Sequence, residues 1–93
     1  MNEKEAEQLS ILFIQLTAKL NQSVAFIKDK DSAENYEQYR SAVAKVMGSV
    51  LSDLKEPLWE RFPNLKPTFL GGSYKVSPEI QEQKFYELQD ENS

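Results

Sequence analysis

Between Tyr36 and Phe62 the apolar residues keep one helical period: Tyr36, Tyr39, Val43, Val46, Met47, Val50, Leu51, Leu54, Leu58, Trp59 and Phe62 recur at steps of three and four. A helix over the whole stretch would reach about 40 Å at 1.5 Å per residue. So wide and aromatic a face demands a large apolar partner surface, which restricts the chain to helical arrangements that cover it. Beside this face Ala44, Gly48 and Ser52 stand four apart and form a stripe of small residues. Glycine inside a helix costs roughly 0.5–1 kcal/mol relative to alanine. Close approach of another helix is the expected compensation, and a tolerated surface glycine is the alternative.

An earlier segment, Leu9 to Ile27, carries Leu9, Phe13, Leu16, Leu20 and Ile27 at heptad-like spacing, with Ser23 at the missing step. Ile11, Leu12, Ile14 and Phe26 widen this seam, so the helix is expected to touch more than one neighbour. Gln15, Lys19, Asn21 and Gln22 interrupt it short of the ~20 apolar residues of a membrane span, which favours an amphipathic helix over about 4–28. The charged run Lys28 to Ser32 ends it. Asp31 or Ser32 can cap the next helix, and Asp31 with Glu34 has capping-box spacing. So short a connection predicts antiparallel neighbours, hence a helical hairpin.

The second helix is expected over about 33–62. Pro57 lacks the amide hydrogen that would bond the Asp53 carbonyl, and its ring crowds that turn, so a bend is expected near Asp53 to Glu56. Pro63 closes the helix. From there to the C-terminus, 63–93, the chain reads as an irregular segment punctuated by Pro67, Gly71, Gly72 and Pro78. A short helix over about 78–88 opens at Ser77-Pro78-Glu79, and a disordered tail follows. A small strand pair across the glycines is the lesser alternative.

The chain of 93 residues has no Cys and no His, which removes disulfides, thiol nucleophiles, thiolate metal sites, the usual neutral-pH general base and the commonest nitrogen ligand for zinc. Its net charge of −4 repels a phosphate backbone, and its Lys and Arg residues are scattered singly. No nucleic-acid partner and no membrane partner are expected. The acidic N-terminal residues lack the features of a secretory signal, which points to the cytoplasm.

Two clusters qualify as sites. Asp53, Glu56 and Glu60, at steps of three and four beside the bend, offer oxygen ligands for a divalent cation, against a plain reading as a solvated face neutralised by Lys55 and Arg61. Tyr36, Tyr39 and Arg40, with Trp59 and Phe62, combine the residue types in which binding energy concentrates, against core packing near the turn. No phosphate loop, nucleophile elbow or dinucleotide fingerprint occurs. The expectation is an all-α chain without cofactor or catalytic residues. It would act as a structural or protein–protein interaction module, an adaptor, a neutralising partner or an assembly subunit, and form a homodimer as a four-helix bundle. A small-molecule or cation binder, or a minor enzyme using the carboxylates near Pro57, is the alternative.

Overall fold

In the computed structural model, residues 1–78 are described, and they are all-α: helices α1 (Glu3–Lys30), α2 (Ala33–Ser49) and α3 (Glu56–Arg61), a π-helical turn (Val50–Lys55) joining α2 to α3, and two 3₁₀ turns (Pro63–Leu65 and Thr68–Leu70). Beyond Pro78, the helix expected over about 78–88 and the disordered tail lie outside the described residues. The 28 residues of α1 account for about 42 Å at 1.5 Å per residue, close to the 44 Å long axis of the molecule.

Caps set the helix ends. Asn2 and Glu5 form a reciprocal capping box at the start of α1, each side chain accepting from the other's amide at 2.8 Å. The box expected at Asp31 and Glu34 does not form. Ser32 caps α2 instead, its hydroxyl accepting from the Asn35 amide at 3.2 Å, while the Asp31 carboxylate accepts from the Ser32 amide and the Asn35 side chain. These two bonds hold the Asp31 carboxyl below its ordinary range.

The bend expected at Pro57 takes a specific form. The Glu56 amide reaches back five residues to the Leu51 carbonyl, so the turn before the proline is widened, and α3 restarts with Pro57 in its first turn. At a helix start the missing amide hydrogen is best tolerated, because the first amides of a helix have no partner within it.

Three hydroxyls of α1 tie it to the second arm. Ser10 Oγ accepts from Trp59 Nε1 at 3.0 Å, Thr17 Oγ1 from Lys55 Nζ at 3.0 Å, and Ser23 Oγ from Tyr39 Oη at 2.8 Å. As α1 ascends from Ser10 to Ser23, the donors descend from Trp59 to Tyr39. A shift of one helical turn would break all three bonds, so they fix the register.

The core gathers Ala6, Phe13, Leu58, Trp59 and Leu65, with Leu9, Leu51, Phe62 and Tyr74 packed against it. The seam expected at Leu9, Phe13, Leu16, Leu20 and Ile27 is therefore displaced: Leu16 is exposed, and Ala6, Ser10, Phe13 and Ile14 are the buried positions of α1. Trp59 and the turns after α3 cover that side of α1 and draw the core toward it. The stripe Ala44, Gly48 and Ser52 is exposed, and among the described residues a Cβ at Gly48 would meet no atom within 4 Å, so no described helix closes on it.

The segment after α3 folds back through backbone bonds from Thr68 N to Tyr74 O and from Tyr74 N to Lys66 O, both 3.0 Å. An isolated bridge, Pro67 with Tyr74, stands where a strand pair was the lesser alternative, and the described residues contain no strand. Gly71 sits at φ 91, and a Cβ on Gly72 would strike the Lys66 carbonyl, so both glycines are required. Polar interruptions argued against a membrane span in the sequence. Nevertheless an 18-residue window of α1 reaches a mean hydropathy of 1.2, enough by length and composition alone to cross a membrane, a value that buried core helices and signal sequences also reach.

Candidate functional site

The aromatic cluster read from the sequence is divided between two ends of the molecule. Tyr36 and Tyr39 are half-buried near the α1–α2 connection: the Lys28 ammonium stands 5.9 Å from the Tyr36 ring, and Tyr39 spends its hydroxyl on Ser23. Arg40 is exposed and pairs with Glu37 at 3.0 Å, which raises its pKa. Trp59 belongs to the core and Phe62 packs against it, with the Arg61 guanidinium 5.4 Å from the Phe62 ring.

The carboxylates do not make the cation site considered from their spacing. Asp53 borders a shallow groove with Lys45, Val46, Ser49, Val50 and Leu54, whereas Glu56 and Glu60 border another with Leu51, Trp59, Lys66 and Leu70. The π turn is the physical cause, because its extra residue rotates Asp53 out of phase with the acids beyond it. Among the described residues no three carboxylates gather to hold a metal ion.

Lys55, expected to neutralise those acids, turns inward. Its residue is only 8% exposed, its ammonium donates to Thr17 and stands 5.9 Å from the Trp59 ring, and burial lowers its pKa. It lies in a groove of about 560 Å³ between α1, the second arm and the last 3₁₀ turn. This residue was missed, although a signal existed: Lys55 sits four after Leu51, three before Leu58 and seven before Phe62, on the apolar face itself. Ser10 and Thr17 on the apolar side of α1 were the matching acceptors.

A second feature is the outer row Ala42, Val46, Val50 and Leu54, at steps of four along α2 and the π turn. Val46 is 50% exposed and Leu54 47%. Two shallow grooves that share Lys45 and Val46 run along this row, from Glu37 to Leu54. On α1, Leu12 and Leu16 are also exposed, one turn apart. No protein-family model, curated protein or solved structure matches this chain.

Proposed function

We propose that the chain is a small non-catalytic protein–protein interaction module of the cytoplasm, an antiparallel helical hairpin that pairs with a second copy of itself into a four-helix bundle. The observation that carries this reading is that Ala42, Val46 and Leu54 stand exposed along one row around the buried Val50, flanked by Lys45 and Asp53. Exposed large apolar residues rimmed by charges are the kind of surface on which partners dock. The row is also complementary to itself. If a second copy lies antiparallel with the two-fold axis passing near Val50, Val46 faces Leu54 and Lys45 faces Asp53, twice per dimer. A two-fold contact requires this kind of self-matching patch. The hydroxyl ladder on α1 supports the same reading, because it gives the hairpin a fixed register and so a rigid outer face.

Sedimentation equilibrium over a concentration series tests the proposal. The wild-type mass should rise from 10.7 kDa toward twice that value. Val46→Asp should stay at the single-chain mass while keeping its helical circular dichroism, because it places charges in the pairing face. A wild-type mass that never leaves the single-chain value would end this reading.

A further inference from the structure

We propose that the groove holding Lys55 binds a small molecule that joins an apolar body to a carboxylate, with the Lys55 ammonium as its counter-charge. The groove's volume, about 560 Å³, lies within the roughly 300–1,000 Å³ of small-molecule sites. Its walls are largely apolar, with Ile14, Met47, Leu51, Trp59 and Leu70 among them, and among the described residues Lys55 is the one charged residue that lines it. No described acid contributes to this lining. Glu56 and Glu60 stand in the adjoining groove, behind the shared wall of Leu51, Trp59 and Leu70.

The orientation of the ammonium follows from its single bond. Thr17 Oγ1 directs its own proton toward the Phe13 and Ile14 carbonyls, both at 3.1 Å, so it meets Lys55 as an acceptor. An ammonium has three donors, and two are left for a ligand. Among the described residues no carboxylate lies within ion-pair distance of Lys55. A cation this buried is disfavoured unless paired, and a ligand carboxylate supplies the pair. Phe69, 62% exposed on the groove's rim, gives the apolar body of the ligand an aromatic surface to cover. A volume of about 560 Å³ suits one small molecule rather than a helix or strand of a partner. This site is independent of the pairing face on α2.

Decanoate is the probe, used below its micellar concentration and followed by the fluorescence of Trp59, the chain's single tryptophan. Saturable binding is expected, at least tenfold tighter than that of decanol, which has the same chain without the charge. Lys55→Met should weaken decanoate at least tenfold and leave decanol unchanged, while Lys55→Arg should retain most of the preference. Circular dichroism separates a failure to fold from a loss of binding, and in that case Phe69→Ser, at an exposed position, carries the test by weakening decanoate. Equal affinity for decanol and decanoate would overturn the proposal, as would undiminished decanoate binding by folded Lys55→Met. A peptide bearing a C-terminal Leu-Phe that binds more tightly than decanoate would also overturn it, in favour of a protein partner.

Discussion

Lys55 and Tyr74 are the two side chains whose surroundings couple most clearly to stability, and their signs are opposite. Burial lowers the Lys55 pKa from 10.5, so the folded chain gives up that proton while the unfolded chain still holds it, and stability rises with pH in the window just below 10.5. Tyr74 donates to Glu7 at 2.7 Å, and that bond, with burial and the carboxylate charge, pushes its pKa from 10.0 up to about 12. The folded chain then keeps the proton longer, and stability falls as pH rises from 10.0 toward about 12. Urea melts across alkaline pH check both effects. Relative to the wild type, Lys55→Met should lose the rise and Tyr74→Phe should lose the fall. Curves that stay parallel to the wild type in both variants would show that neither group is coupled to folding.

At the scale of elements, the π turn decides which residues share a face. It amounts to one extra residue in an otherwise α-helical run from Ala33 to Arg61. Deleting Ser52 should return Val50–Lys55 to α geometry while preserving the phase of α2 and α3. Pro57 then loses its relief, because its ring meets the Asp53 carbonyl, at a cost of about 3 kcal/mol. Adding Pro57→Ala to the deletion should recover most of that loss, and thermal melts of the two single variants and the combination read it directly. Full stability in the deletion alone would mean that the proline does not select the π turn. This element also shows what could be read in advance. The bend was legible, since a proline inside a helical period has few outcomes, but its π form was not. A bend keeps residues in phase, whereas a π turn shifts them, so Asp53, Glu56 and Glu60 looked like one cluster and are not. Helix existence was legible from apolar period and capping residues. The displaced seam was not, because Leu16 and Ile14 are both large and apolar, and the choice between them rests on Trp59 and the irregular turns after α3. Lys55 was readable by its place on the apolar face but was assigned to the nearest acids, since sequence distance favours local partners over Thr17, 38 residues away.

On the scale of the whole molecule, the two proposals use different surfaces: the Lys55 groove, and the outer row of α2 and the π turn. The second makes the more demanding claim, because a symmetric pair fixes which residues meet. Exposed ion pairs contribute about 0.2–1 kcal/mol each, and two Lys45–Asp53 pairs form per proposed dimer. Reversing one partner replaces two attractions by two repulsions and should weaken association several-fold at low salt. The decisive measurement is sedimentation equilibrium at low ionic strength on the wild type, Lys45→Glu, Asp53→Lys and the double variant. A concentration-dependent wild-type mass, weaker association in each single variant and restored association in the double variant are predicted. A double variant that associates more weakly than either single one, or a wild type that stays at the single-chain mass, would contradict the paired arrangement.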